Sequence, residues 1–124
     1  MSGGGRKLRI LIPCHEPGGP SAEVYPHWEA KIFTIAAVTD QGIDYKVIRR
    51  NEDLVVTIAK REKVNYAIAK SLSTRALELM RKIGVTVCTG DFNSVNEAVE
   101  KFIKGELHAL KICKEKLIPP ELKP

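Results

Sequence analysis

The 124-residue sequence lacks the features that mark several large classes of protein. Its longest apolar runs, such as residues 32–38 with Thr34 inside, are far shorter than the ~18 residues of a membrane-spanning helix. No charged start followed by an apolar stretch indicates a signal peptide. With 44% hydrophobic and 28% charged residues, the composition also excludes a disordered chain. We therefore expect a soluble, cytoplasmic protein with one core and no contact with a membrane.

Cysteine is scarce and irregularly placed. Cys14, Cys88 and Cys113 make an odd number, and no two of them form a Cys-x-x-Cys pair. A secreted disulfide framework would show an even and denser set, so free thiols in a reducing compartment are expected. Any metal site that uses a cysteine would have to be assembled by folding.

The distribution of the net charge of +5 along the sequence does not indicate a nucleic-acid partner. Residues 1–8 and 108–124 together hold +4 of it, whereas residues 9–107 carry 14 basic and 13 acidic side chains. A protein that reads nucleic acid normally concentrates its basic excess on a folded face, often with aromatic residues that stack on bases. Here aromatic residues make up 6% of the chain, and we do not expect nucleic acid as a partner.

Hydrophobic periodicity and turn residues predict the order β-β-β-α-β-α-β-α. A long loop is expected over residues 13–28, because four prolines in its first fourteen residues exclude regular structure. Asp40-Gln41-Gly42 predicts a hairpin turn, and Ser94 with Glu97 predicts a capping box. Strands are expected at residues 7–12, 31–39, 43–49, 64–69 and 85–88, and helices at 54–62, from a cap at 71 or 73 to 83, and from 94 to 105.

A hairpin at one edge and right-handed crossovers at the other place the strands in the order 3-2-1-4-5. The expected fold class is therefore α/β, a ribonuclease H-like three-layer fold with a mixed five-stranded sheet and helices on its faces. Its domain would span residues 8–107, between a flexible N-terminus (1–7) and a basic, proline-containing tail (108–124). A two-metal nuclease is excluded because residues 7–12 contain no Asp or Glu. Without a Ser-His-Asp order, a P-loop or a Gly-x-Gly-x-x-Gly motif, the chain is not expected to be an enzyme.

Several motifs point to one family. They are a first strand that ends Ile-Leu-Ile-Pro (10–13), the loop motif Tyr-Pro-His-Trp (25–28) followed by Phe-Thr-Ile (33–35), a helix and Gly-Val-Thr-Val strand (75–87), and a closing Val-Asn-Glu-Ala-Val…Phe…Lys-Gly-Glu-Leu element (95–107). Together they resemble the dinitrogenase iron–molybdenum cofactor-binding family, small ribonuclease H-like domains that include cofactor carriers for nitrogenase. The resemblance implies a non-catalytic protein that binds or carries an anionic iron–sulfur–molybdenum cluster. Its partners would be the cluster and the proteins that donate or accept it.

The residues expected to hold such a cargo lie at loop and strand ends. Imidazole and thiolate are ligands for transition metals, so His27 and Cys14 are the candidate metal ligands. The resemblance implies Trp28, the aromatic partner of His27 in the loop motif, as a further contact. Ser71 and Ser73 are candidate contacts because a helix N-terminus after the fourth strand would offer N–H groups to an anion. An ordinary loop histidine and a packed cysteine remain open alternatives for His27 and Cys14.

The sequence also leaves a second function open. The family has a glycine-rich turn where this chain has Lys70-Ser71-Leu72-Ser73-Thr74-Arg75-Ala76, and a glycine where it has Glu29. Glycines let backbone approach a bulky ligand, and these residues do not. The alternative is an interaction or regulatory domain of the same fold that has lost cofactor binding.

Overall fold

The computed structural model describes residues 7–26, 28–71 and 73–109. Most of the expected flexible N-terminus, His27 and the tail beyond residue 109 lie outside these residues. Six strands and three helices fall within the described part of the chain: β1 (Leu8–Cys14), β2 (Ile32–Thr39), β3 (Gly42–Arg49), α1 (Val55–Arg61), β4 (Tyr66–Ile68), α2 (Thr74–Lys82), β5 (Thr86–Thr89), α3 (Val95–Ile103) and β6 (His108–Ala109).

The strands form one mixed, open sheet in the order β3-β2-β1-β4-β5-β6. The first five follow the predicted order, with β4 parallel to β1 and β5 parallel to β4. The prediction of five strands is wrong, because His108 and Ala109 add a sixth by pairing antiparallel with Thr89 and Cys88. Two residues are too few to show an alternating pattern in the sequence. This strand forms because the edge of β5 has backbone groups available for hydrogen bonding.

The first strand also runs further than predicted. Pro13 was expected to end it, but β1 continues through Pro13 to Cys14, which pair with Phe33 and Ile32 of β2. Pairing with β4 covers only Ile10 and Leu11. Pro13 therefore lies beyond the parallel ladder, where its missing N–H removes no ladder hydrogen bond.

Apolar side chains cover both faces of the sheet. One core contains Leu11, Ile35, Ala67 and Val87 from the strands with Ile58, Leu77 and Met80 from α1 and α2. The other contains Ile10, Ile12, Ala36 and Ile68 with Val95, Ala98 and Val99 from α3. This alternation follows from the two-residue period of a strand and places helices on both faces, as predicted.

Helices α2 and α3 begin at serine caps that the sequence predicts. Ser73, one of the two predicted caps, is the N-cap of α2, and its Oγ accepts a hydrogen bond from the Ala76 N–H at 3.2 Å. Ser94 caps α3 by accepting from the Glu97 N–H. The Glu97 carboxylate accepts from the Asn93 N–H at 2.8 Å, which lowers the pKa of Glu97. With seven to nine residues each, the helices of the described part of the chain are too short to cross a membrane.

The described residues of the long connection between β1 and β2 form no helix or strand, as predicted, yet they are hydrogen-bonded to the body of the domain. Val24 N–H donates to the Asn93 carbonyl at 2.8 Å, and Val95 N–H donates to the Ala22 carbonyl at 2.9 Å. Ala22 and Val24 are themselves buried in the core that α3 covers. This connection therefore forms part of the packed structure.

Strand β3 forms one edge of the sheet and carries mostly exposed side chains. Asp44, Lys46 and Arg49 all lie on it. Lys46 Nζ is 3.1 Å from Glu62 Oε1, and Arg49 Nη1 is 3.2 Å from Glu16 Oε2. This edge is therefore charged along most of its length.

Candidate functional site

Three of the predicted site residues line one pocket. Its volume is about 550 Å³, and we call it the Trp28 pocket; its lining consists of Trp28, Glu29, Arg50, Val55, Ser71, Ser73 and Ala76. The residues meet because the end of β1, the start of β2 and the end of β3 lie in register, with Cys14 opposite Ile32 and Ile32 opposite Arg49. The loop that follows the parallel strand β4 opens at the same end. Ligands of open α/β sheets commonly bind at such carboxyl ends, where the strand order reverses.

Trp28 anchors the pocket to the core. Its side chain is 5% exposed, and its ring centroid lies 5.9 Å from that of Phe33. The indole Nε1 is buried without a hydrogen-bond partner among the described residues. Buried donors are nearly always paired, so this Nε1 is an exception on a residue that lines the pocket.

The two serines are brought to the pocket, but their hydroxyl groups are already engaged. Ser71 Oγ donates to the Pro26 carbonyl at 3.1 Å, and Ser73 Oγ accepts from Ala76 as the α2 cap. The first N–H groups of a helix have no partner within the helix, and the helix dipole favours an anion beside them. The main effect of the two serines is therefore to place the start of α2 at the pocket.

Arg50 is not among the predicted site residues, and its hydrogen bond to Trp28 was not predicted from the sequence. Its Nη1 donates to the Trp28 carbonyl at 2.8 Å, and its Nε donates to the Asp53 carbonyl at 3.0 Å. The guanidinium is part-buried and lines the pocket. An arginine at the end of a strand carries no local signal of such a role, because its partner is 22 residues away in the sequence.

Cys14 lies apart from Ser71 and Ser73. It lines a second pocket of about 550 Å³, the Cys14 pocket, together with His15, Glu16, Tyr25, Glu29, Lys31 and Ile32. Glu29 borders both pockets. The Cys14 pocket and the Trp28 pocket are therefore adjacent, and Glu29 is the lining residue that they share.

The Cys14 thiol is buried beside a hydroxyl group. Its residue is 1% exposed, and Sγ lies 3.1 Å from Thr34 Oγ1. Burial raises the pKa of Cys14, and the hydrogen bond with Thr34 offsets part of that rise. Because Thr34 Oγ1 already accepts from the Gly19 N–H at 2.9 Å, its own proton is free to be donated to Sγ. Thr34 is thus the group that would support a thiolate at this position.

Cys88, the other described cysteine, is buried in the core. Cys88 is 8% exposed, and burial raises its pKa. As predicted, β4 separates the strand of Cys88 from that of Cys14. His27 and Cys113 lie outside the described residues. Among the residues that the structure describes, no group of three or more His, Cys, Asp or Glu side chains could hold a metal ion.

The buried thiols predict a loss of stability at high pH. Burial keeps Cys14 and Cys88 protonated in the folded state, whereas the unfolded chain ionises its thiols near pH ~8.5. Their contribution to stability is therefore complete below that pH and is lost as the pH rises towards the raised folded pKa. Urea unfolding at about pH 7.5 and about pH 9.5 should show a larger decrease for the wild type than for the Cys14→Ala/Cys88→Ala double variant. Equal decreases in the two proteins would contradict the assignment.

Comparison with known proteins supports the same family that the motifs indicate. A family model described as "Dinitrogenase iron-molybdenum cofactor" matches residues 8–105. A provisionally assigned dinitrogenase from Methanocaldococcus jannaschii has 21% identity and a TM-score of 0.73, covering 86% of this chain and 98% of that one. A provisionally assigned NifB protein from Thermotoga has 24% identity and a TM-score of 0.68, covering 83% of this chain and 93% of that one. The apo form of the orange protein from Desulfovibrio gigas has 14% identity and a TM-score of 0.69, covering 84% of this chain and 97% of that one.

These solved structures share the fold with this chain. Among curated proteins, the comparison finds no significant match. The family match extends from β1 to the end of α3 and confirms the resemblance seen in the sequence.

Proposed function

Because the chain belongs to the dinitrogenase iron-molybdenum cofactor family, we propose that it binds and carries an anionic metal–sulfur cluster of the iron–molybdenum type. The protein would hold and pass on this cargo without catalysing a reaction, and its partners would be proteins that donate or accept the cluster. The observation that carries the proposal is the Trp28 pocket, which brings together an arginine, a helix start and a tryptophan whose buried Nε1 has no partner in the described part of the chain.

The chemistry of the pocket fits an anion that is partly apolar. Arg50 supplies positive charge, and Trp28 supplies a donor whose burial strengthens any hydrogen bond that it makes. Val55 and Ala76 line the same pocket with apolar surface. Sulfur-rich clusters present weak acceptors and little hydration, so a mixed lining of this kind suits them better than a purely polar one.

We propose His27 and Cys14 as the metal ligands, and Trp28, Ser71 and Ser73 as the residues that surround the cargo. Cys14 has to lose its proton to ligate a metal, and the hydroxyl of Thr34 is placed to stabilise the resulting thiolate. Because Glu29 borders both pockets, a cargo that reached Cys14 from the Trp28 pocket would have to pass its side chain.

A second candidate function is an interaction or regulatory domain that has lost cofactor binding. The specific observation in its favour is Glu29, a carboxylate that borders both pockets and disfavours an anion in either one. The engaged hydroxyl groups of Ser71 and Ser73 favour it as well.

Two further parts of the proposal concern location and classification. A cytoplasmic location agrees with the free thiols at Cys14 and Cys88, which suit a reducing compartment. We classify the fold as ribonuclease H-like, and the order β3-β2-β1-β4-β5 with an antiparallel β2 supports this.

The direct test is anoxic purification without a metal-affinity tag, followed by elemental analysis for iron, molybdenum, copper and zinc and by a visible spectrum. Stoichiometric iron or molybdenum with charge-transfer absorption would support the carrier. A colourless, metal-free protein that also fails to take up a supplied cluster would favour the interaction domain instead.

The role proposed for His27 predicts a large loss of affinity. Tetrathiomolybdate, an anionic molybdenum–sulfur compound that absorbs visible light, is a suitable probe for titration. His27→Ala should bind it about tenfold more weakly, since a lost ligand or charged hydrogen bond costs at least that much. His108→Ala is the matched control, because His108 is exposed on β6 and lines neither the Trp28 pocket nor the Cys14 pocket, so the affinity should be unchanged. Unchanged affinity in His27→Ala would remove that residue from the site.

A further inference from the structure

Two side chains from different loops hold the backbone on either side of residue 27. Ser71, between β4 and α2, donates from Oγ to the Pro26 carbonyl at 3.1 Å. Arg50, between β3 and α1, donates from Nη1 to the Trp28 carbonyl at 2.8 Å. We propose that Ser71 and Arg50, together the carbonyl clamp, are positioning residues. They fix the backbone of Pro26 and Trp28 at the edge of the Trp28 pocket.

The clamp adds directional hydrogen bonds to the apolar packing of the Trp28 ring. The Trp28 ring is buried against Phe33, but its Nε1 has no hydrogen-bond partner among the described residues. Apolar contacts are non-directional, so the ring is retained without its orientation being fixed by a polar bond. Pro26 has no N–H, which leaves its carbonyl as the backbone group by which it can be held. The two carbonyl hydrogen bonds therefore supply the directional restraint.

Arg50 is itself held in place by two further hydrogen bonds. Its backbone N–H donates to the Lys31 carbonyl at 2.9 Å, and its Nε donates to the Asp53 carbonyl at 3.0 Å. The carboxylate of Asp53 pairs with Arg61 of α1, with Oδ2 3.1 Å from Nη1. A guanidinium presents several N–H donors in one plane, so a single side chain links Trp28 to the start of α1. Lysine places its donors on one nitrogen and cannot reproduce this geometry.

The positional half of the proposal is tested without a ligand. Trp28 is the single tryptophan of the chain, so its fluorescence reports on this segment alone. Ser71→Ala and Arg50→Gln should each raise acrylamide quenching of Trp28 by about twofold or more, because a segment with fewer hydrogen bonds opens more often. Ser71→Thr, which keeps the hydroxyl, should restore the wild-type value, and Arg50→Lys should not.

Arg49→Gln is the matched control for Arg50→Gln. Both variants remove one positive charge from adjacent positions, but Arg49 is exposed and its guanidinium pairs with Glu16. Quenching in Arg49→Gln should therefore equal that of the wild type. If Arg50→Gln and Ser71→Ala also quench like the wild type, or if Arg50→Lys restores it fully, the clamp is refuted. Circular dichroism confirms that each variant is folded before its quenching is compared.

The binding half rests on the proposed function and has its own readout. Tetrathiomolybdate should bind Ser71→Ala and Arg50→Gln about fivefold more weakly than the wild type, the affinity equivalent of one net hydrogen bond. Arg49→Gln should bind within about twofold of it. Raised quenching in a protein whose wild type does not bind the probe would refute the proposed function and leave the clamp intact. Raised quenching with unchanged affinity would refute the binding role of the clamp alone.

Discussion

Replacing Trp28 with alanine is expected to lower the free energy of unfolding by about 3–5 kcal/mol, the range for truncating a buried aromatic side chain. Trp28 is 5% exposed and belongs to the core that α1 and α2 cover. Its loss leaves a cavity beside Phe33 that the sheet cannot easily close. Urea unfolding followed by circular dichroism measures the effect without relying on tryptophan fluorescence.

Trp28→Phe is the informative companion of this variant. Phenylalanine keeps a ring in the core and removes Nε1, which has no partner among the described residues, so the expected loss stays below about 1.5 kcal/mol. Titration with tetrathiomolybdate then isolates the indole N–H. If this group binds the cargo, Trp28→Phe binds the probe more weakly while remaining folded. Equal stability of Trp28→Ala and Trp28→Phe would contradict the burial of the ring.

Gly18→Ala is the second variant with a large expected effect, about 2–4 kcal/mol in the free energy of unfolding. Gly18 adopts φ +82°, which an L-residue with a side chain adopts only at a cost. A Cβ there would lie 2.8 Å from Val47 Cγ1 and 3.4 Å from Ile32 Cδ1. Both methyl groups of Val47 face this position, with Cγ2 3.0 Å away, and a β-branched side chain has few rotamers, so Val47 or the loop has to shift to relieve the contact.

Gly19→Ala separates the two causes. Gly19 adopts a similar φ of +90°, but no described atom lies within 4 Å of the position that its Cβ would take. Its expected loss is therefore the backbone cost alone, about 1–2 kcal/mol. The difference between the two variants measures how tightly the connection between β1 and β2 packs on the sheet. If Gly18→Ala were no less stable than Gly19→Ala, that packing would be disproved.

Most of the fold could be predicted because the signals for it are local. The alternation in β3, the turn at Asp40-Gln41 and the cap at Ser94 are each set by residues that are close together in the sequence. Right-handed crossovers then fix the order of the strands. The strand β6 and the extension of β1 through Pro13 were not predicted, because both depend on the state of a neighbouring strand.

Three of the residues that line the Trp28 pocket could be predicted from the sequence, but not their arrangement. Helix-start logic placed Ser73 correctly, and the loop motif identified Trp28, which does line the pocket with both serines. The separation of Cys14 into a second pocket follows from side-chain packing that spacing does not encode. The hydrogen bonds of Ser71 to Pro26 and of Arg50 to Trp28 span 45 and 22 residues, and no periodic pattern reports contacts of that range.

The charged edge formed by β3 has a consequence for the behaviour of the protein in concentrated solution. An exposed strand edge invites a strand of another molecule to extend the sheet, which is the first step of many aggregation reactions. A strand arriving at β3 would have to displace the ion pairs of Lys46 and Arg49 and strip water from Asp44. No described strand pairs with the outer side of β3, and charge protects the eight residues of this edge; neutralising Lys46 and Arg49 together is expected to make fibril formation easier.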